Sequence, residues 1–330
     1  MFMRKFLILI LTLICVDISS SWSQDFKVIT FNIRQDLKRD SINRWENRRG
    51  LMARFLKDED SDIVCMQEVL NRQLLNILSD VPFYDYVGVG REDGKTKGEY
   101  SPILYKKDRL ELIDSGTFAL SETPDSIGTL GWDARYSRIA TWANLRFKES
   151  DEVLFVINTH LDNAGRLAKI NGMKLILDTI QNLARSEHVL LTGDFNSDES
   201  SEVYRVPSNS KLIDTYHETH NAEGVSYSFH NFGKTNKNSR RKIDFIFASP
   251  DIEVENVNIP EERPVDGIYM SDHNPVICML EISSSMTIDD MLKVISDINE
   301  ESYGTLNKIL RSLQKQGILN FNESALEKLF

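Results

Sequence analysis

Residues 188–196 read HVLLTGDFN. The apolar run Val189 to Leu191 is followed by a turn signal, Gly193, and delivers Asp194 and Asn196 at its end. A short apolar run bounded in this way predicts a buried strand with polar residues at its tip. The same layout recurs along the chain. KVITF leads to Asn32, DIVCMQ to Glu68, and VLFVINT to His160. Asp244 opens DFIFAS, while Asp272 and His273 precede NPVICML. Singly these are weak signals, because an Asn or Asp after a strand is usually a turn former. As an ordered set, all at strand ends, they are hard to explain by packing and point to one site.

The segments between them fill in a fold. FKVITFNI alternates apolar and polar residues as a strand does. SINRWENRRGLMARFLKDED predicts a helix, with Trp45, Leu51, Met52 and Phe55 near helical spacing, and NRQLLNILSD a short one. SPILYKKDRLELIDSGTFAL reads as one long strand run. SETPDSIGTLGWDARYS is a turn-rich insertion. RIATWANLRF and EVLFVINTHLD read as neighbouring strands joined by KESD. RLAKINGMKLILDTIQNLARS is the clearest helix, with an expected apolar face of Leu167, Ile170, Leu175, Leu177 and Ile180. Strands dominate with helices between them. The expectation is a mixed α/β sandwich, two sheets packed face to face with helices outside.

The chain has 330 residues, 41% of them hydrophobic, enough for one large core. Met1 to Lys5 followed by FLILILTLICV and the small residues of ISSSWSQ predicts a signal peptide over 1–23, cut after Ser23. A secreted or periplasmic location follows, with a retained membrane anchor as the alternative; Cys15 is preceded by the large Ile14, which disfavours a lipoprotein. No later segment is long enough to be transmembrane. Cys65 and Cys278 lie in apolar runs and read as small buried hydrophobes, with neither a disulfide framework nor zinc spacing. The net charge of −11 disfavours non-specific binding to long nucleic acid. FGKTNKNSRRK concentrates Lys234, Lys237, Arg240, Arg241 and Lys242 just before Asp244, as a solvated loop or a substrate clamp. The expected domain spans 25–283. Beyond it, TIDDMLKVISDINEES and YGTLNKILRSLQKQG predict a helical extension over 286–330, with Thr287 and Asp290 placed for a capping box.

Phosphate esters resist attack because they are negatively charged, so cleavage needs positive charge on the phosphoryl oxygens, a positioned water and help for the leaving oxygen. Magnesium takes oxygen ligands and keeps several waters, so one or two carboxylates and an amide suffice. Glu68 is the leading ligand candidate, with Asn32 supplying an amide oxygen beside it and Asp194, Asn196 and Asp272 to complete or flank the site; manganese is the alternative ion. Asn196 is placed to hold the phosphate or the attacking water, Asp244 to orient His273, and His160 to serve the departing oxygen. Arg34 and Arg138 are candidate phosphate contacts. His188, His217, His220 and His230 fall in no such motif and read as surface or core residues.

The ordered motifs TFNI, MQEV, NTHLD, TGDFN, KIDFIF and SDHNP resemble the endonuclease/exonuclease/phosphatase superfamily over residues 25–283. NRWENRR, GVGREDGK and GWDARYSRIATW look like one secreted bacterial branch of it. The resemblance implies a four-layer α/β sandwich and a metal site at Asn32 and Glu68, assisted by Asp272. It implies that Asp194 and Asn196 handle water and phosphate, and that His273, oriented by Asp244, is base or phosphate ligand. His160 stands where abasic-site endonucleases carry tyrosine, which speaks against a repair role. The resulting expectation is a secreted, metal-dependent phosphoric ester hydrolase acting on a small or lipid-linked phosphate ester. An extracellular nuclease and a non-catalytic binding module of the same fold are the alternatives. The turn-rich stretch from Ser121 to Ser137 is expected to shape specificity.

Overall fold

A computed structural model describes residues 21–186 and 188–285. The residues expected as the body of the leader (1–20) and as the C-terminal helices (286–330) lie outside them. In chain order, β1 (Ser21–Asn32), a 3-10 turn (Lys38–Asn43) and α1 (Trp45–Glu59) lead into β2 (Ile63–Gln67), β3 (Val69–Leu70) and α2 (Asn71–Asp80). β4 (Tyr84–Val87), β5 (Glu99–Tyr100), β6 (Ile103–Lys106), β7 (Leu110–Ala119), β8 (Ile139–Phe147) and β9 (Val153–His160) follow. Then come α3 (Arg166–Leu183), β10 (Val189–Asp194), α4 (Glu202–Asn209), β11 (Ile213–Asp214) and α5 (Thr215–Glu218). β12 (Ala222–Gly224), β13 (Asp244–Ala248), β14 (Ile252–Ile259) and β15 (Val276–Ser285) complete the set.

Two large sheets form. One runs β12-β14-β15-β1-β2-β6-β4 and the other β11-β13-β10-β9-β8-β7, with a small β3-β5 pair beside them. Both mix directions: β1–β2 and β9–β10 are parallel, whereas β2–β6, β8–β9 and β10–β13 are antiparallel. The period-2 alternation of each strand divides its apolar residues between two cores. Phe26, Val28, Ile63 and Cys65 from the first sheet meet Leu145, Val156, Leu190 and Ile246 from the second. The opposite faces carry helices. Ile29, Phe31, Val64 and Met66 pack under Trp45, Met52 and Leu56 of α1 and Leu74 of α2. Phe155, Ile157, Leu191 and Phe247 pack under Ile170, Met173 and Ile176 of α3. The result is the expected layered sandwich, helix–sheet–sheet–helix. Each fully buried Phe or Ile contributes about 1.5–3 kcal/mol.

The inner face of each strand changes character along its length, and this positions the site. On β1 the inward residues run Phe26, Val28, Thr30, Asn32; on β9, Leu154, Val156, Asn158, His160; on β10, Leu190, Thr192, Asp194; on β13, Ala248, Ile246, Asp244. The polar middle layer staples the sheets together. Asn158 Nδ2 donates to the carbonyls of Met66 (2.8 Å) and Pro102 (2.9 Å), and its Oδ1 accepts from Gln67 Nε2 (2.7 Å). Register then sets His160 and Asp244 on either side of Asp194.

Three local expectations are corrected. The long run over residues 101–120 is two strands, β6 and β7, that break at Lys107-Asp108-Arg109 and join different sheets; three charged or polar residues in succession mark where the chain crosses. The buried face of α3 is Ala168, Ile170, Gly172, Met173 and Ile176, with Leu175, Leu177 and Ile180 packing partly buried against the same core, while Leu167 is 50% exposed. Ala168 and Gly172 take two of those buried places, so a search for large aliphatics alone misses part of the face. On α1, Trp45, Met52 and Leu56 are buried, together with Arg48, whereas Leu51 and Phe55 are half-buried. Cys65 and Cys278 are buried and free, as expected. Among the described residues no helix is long and apolar enough to cross a membrane.

Candidate active site

All ten residues singled out from the sequence converge at the polar end of the inter-sheet layer. Asn32 is the hub: its Nδ2 donates to Asp194 Oδ2 (2.9 Å) and faces Glu68 Oε1 (3.3 Å). Its Oδ1 accepts from the Arg34 backbone N–H (3.0 Å). The amide nitrogen, rather than the oxygen expected from the sequence, therefore points at the two carboxylates. Arg34 and Glu68 both adopt φ of 59°, and Asn196 48°. Left-handed backbone is costly for the first two residue types and marks a place where surrounding structure holds the chain.

That hold is visible. The Arg48 guanidinium, fully buried, donates to the carbonyls of Asn43, Ile33, Arg34 and Met270 at 2.6–2.9 Å. It thereby ties the segment after β1 to the one before Asp272. Ser271 Oγ donates to the Asn32 carbonyl (2.6 Å), and the Ser228 hydroxyl accepts from the amides of Ile243 and Asp244. Gly193, at φ 150°, brings β10 so close to β9 that a Cβ there would lie 2.2 Å from the Thr159 carbonyl oxygen.

Two histidines flank Asp194. His273 Nδ1 is 2.7 Å from Asp244 Oδ2, and its Nε2 is 3.8 Å from Asp194 Oδ2. Burial pulls His273 down, but Asp244, then Asp194 and Asp272, outweigh it and lift its pKa to about 10. His273 is therefore a cation at neutral pH. Asp194 is raised as well: burial and the neighbouring Asp244 carboxylate lift it to about 7. His160 is held well below its usual range by burial and by Arg138 and Arg91, so it is neutral. Asn196 Nδ2 spends one proton on the Leu161 carbonyl (3.0 Å) and points the other at His160 Nε2 (2.9 Å). That assigns the His160 proton to Nδ1, on the side of Glu99 Oε2 at 3.7 Å.

Glu99, Gln35, Gln67 and Asn158 were not singled out from the sequence. Glu99 is buried, pairs with Arg91 (2.7 Å) and accepts from Gln35 Nε2 (2.9 Å). Its only sequence signal is position, in a polar loop that returns to the sheet as β5. Gln67 and Asn158 sit inside apolar strands, where a lone polar residue in the run was the available sign. Of the basic loop, Lys242 is buried against Asp214 and Glu199, Arg240 faces Glu261 and Arg241 Asp198; these three serve the fold. His230 is buried, consistent with a core residue.

The donor set suits a hard divalent cation. Asp272 Oδ1 is buried without a hydrogen-bond partner. The Arg34 Nη1 atom, held through Nε by Asp40 (2.9 Å), sits 3.5 Å from Asp272 Oδ2 and 3.9 Å from Glu68 Oε2. These carboxylates already gather around positive charge, and oxygen ligands of this kind fit magnesium or manganese. Asp194, Asp244 and His273 also bring ligand atoms within 4.8 Å of one another. There the short Asp244 contact already occupies His273 Nδ1, so that trio is an acid–histidine pair beside a second acid. Arg138 is buried, its Nε 3.6 Å from Asp162 Oδ2, and neither Nε nor Nη1 makes a hydrogen bond. Arg34, Arg138, His160 and Asn196 line one cavity of ≈ 590 Å³.

Comparison with known proteins identifies the family. The model of the Endonuclease/Exonuclease/phosphatase family matches residues 29–273. The crystal structure of an endonuclease/exonuclease/phosphatase from Bacteroides vulgatus is 41% identical, with a TM-score of 0.76, covering 78% of this chain and 99% of that one. A mannosyl-6-phosphatase from Bacteroides thetaiotaomicron is 32% identical, with a TM-score of 0.71, covering 77% of this chain and 99% of its own. An uncharacterized protein of Acanthamoeba polyphaga mimivirus is 28% identical over 276 residues, 77% of this chain and all of the relative. The chain belongs to the endonuclease/exonuclease/phosphatase family and is a metal-dependent phosphoric ester hydrolase.

Proposed function

We propose that this protein is a magnesium-dependent phosphatase that removes phosphate from small, hydroxylated monoesters such as hexose 6-phosphates, with manganese as the substitute ion. The observation that carries this is the interlocked set Asn32, Glu68, Asp194 and Asp272, flanked by a cationic and a neutral histidine, with Glu68 and His160 opening onto a cavity of ≈ 590 Å³. That space suits a small ligand. The relative described as a mannosyl-6-phosphatase supports the same substrate class, and the net charge of −11 disfavours long nucleic acid.

Glu68 and Asp272 would hold the cation, braced by Asn32. A bound divalent cation supplies positive charge to the phosphoryl oxygens. Asp194, with its raised pKa, accepts the proton of the attacking water, which Asn196 orients. His273, kept cationic by Asp244, binds a phosphoryl oxygen rather than acting as base. His160 directs its ring toward the departing oxygen, and Arg34 and Arg138 add charge along the phosphate. Export, with cleavage after Ser23, belongs to this reading on the strength of the basic, apolar and small-residue order of the first 23 residues.

Phosphate release from p-nitrophenyl phosphate and mannose 6-phosphate, with magnesium and with chelator, tests the reading. Magnesium-dependent release from both, with little turnover of bis(p-nitrophenyl) phosphate, is expected. Turnover of the diester alone, or turnover that survives chelation, would overturn it.

A further inference from the structure

The groups around Asp194 are committed to one another, whereas several on the cavity's outer wall are not. Tyr136 lines the cavity together with His160, and the residue is 42% exposed. The ring is nevertheless fixed in place. The Tyr136 amide donates to Asp162 Oδ2 (3.1 Å), and the guanidinium carbons of Arg91, Arg135 and Arg138 lie 5.6–5.8 Å from the ring centroid. Glu92 and Asn163 line the same cavity and are exposed. Among the described residues neither side chain has a hydrogen-bond partner, and neither does the Tyr136 hydroxyl.

We infer that Tyr136, Glu92 and Asn163 form the subsite for the leaving group, and that this group is a pyranose ring. The inference rests on the phosphatase reading above and deepens it. Phosphate belongs beside Asp194 and His273, so what reaches Tyr136, on the His160 side, is the alcohol being released. A pyranose meets each chemical demand there. One face presents C–H groups that pack on an aromatic ring. Its hydroxyls donate to the Glu92 carboxylate and both donate to and accept from the Asn163 amide. An acyl chain would leave both polar groups without partners. A small alcohol such as glycerol would not reach across the ring.

The test compares wild type, Tyr136→Ala, Tyr136→Phe and Asn163→Ala on mannose 6-phosphate, glycerol 3-phosphate and adenosine 5′-monophosphate, all with magnesium. Calorimetric binding of mannose 6-phosphate in chelator serves as a readout independent of turnover. The expected result is a rise of about tenfold in KM for mannose 6-phosphate in Tyr136→Ala. Values for glycerol 3-phosphate should stay within about twofold, and Tyr136→Phe should restore most of the loss. An equal loss on mannose 6-phosphate and glycerol 3-phosphate would overturn the subsite while leaving the phosphatase reading intact. A preference for adenosine 5′-monophosphate that depends on Tyr136 would overturn the pyranose assignment. If no monoester turned over yet mannose 6-phosphate still bound in a Tyr136-dependent way, the subsite would stand and the phosphatase reading would fall. Absence of both binding and turnover would overturn both.

Discussion

Replacing Asp244 with Asn removes the charge that keeps His273 protonated. His273 is fully buried, and burial alone would depress it; Asp244 is the largest opposing influence, at 2.7 Å. Its pKa is raised from the ordinary 6.5 to about 10. A group whose folded pKa lies above its unfolded one contributes stability that is fully present below the unfolded value and is lost as pH rises through the folded one. At about 1.4 kcal/mol per unit, protonated His273 contributes about 4 kcal/mol at pH 7 and about 1 kcal/mol at pH 9. In Asp244→Asn the largest influence holding the imidazole charged is gone, leaving only Asp194 and Asp272 against burial. Urea unfolding in chelator should therefore show a deficit near 4 kcal/mol at pH 7 that shrinks by more than half at pH 9, an upper estimate because Asp244 itself is relieved of desolvation. Nitrogen NMR of the imidazole should show His273 charged at pH 8 in wild type and neutral in the variant. A deficit independent of pH, or a wild-type His273 that titrates near 6.5, would refute the reasoning.

Other outcomes follow from the same geometry. Glu68→Gln and Asp272→Asn should each weaken divalent-cation binding by about tenfold or more in calorimetry; unchanged affinity would remove that residue from the cation site. Gly193→Ala places a Cβ 2.2 Å from the Thr159 carbonyl oxygen on a backbone at φ 150°, and should cost more than about 2 kcal/mol in chemical unfolding. A loss below 1 kcal/mol would mean that β9 and β10 can part there. Asn158→Leu removes three buried hydrogen bonds, those with Gln67 Nε2 and with the Met66 and Pro102 carbonyls, and a loss of about 3 kcal/mol is expected; an unchanged midpoint would deny the inter-sheet staple.

Much of the fold was legible because its strands carry short apolar runs closed by polar residues, and period-2 alternation then fixes which face each side chain takes. The same alternation made the candidate site legible: Asn32, His160, Asp194 and Asp244 each lie two residues from an inward-facing neighbour in the core. What stayed hidden depends on contacts remote in sequence. Nothing local marks Arg48 as the buried cation that caps four carbonyls, since its neighbours Arg44 and Arg49 have the same composition around them. Glu99 acquires its role only because β5 returns beside Arg91 and Gln35. β14, in DIEVENVNI, was missed because charged and amide residues occupy its outer face, and it pairs with β15 across a register shift between Val254 and Asn256. The split of residues 101–120 was hidden because both halves are good strand sequences, and only the sheet assignment separates them.

The most direct measurement is phosphate release from mannose 6-phosphate by the purified protein, titrated with magnesium, for wild type and Asp272→Asn. The account predicts no release in chelator, saturating activation in wild type, and in the variant a magnesium requirement shifted upward by about tenfold or more. Identical magnesium dependence in the two proteins, or release without any divalent cation, would contradict it.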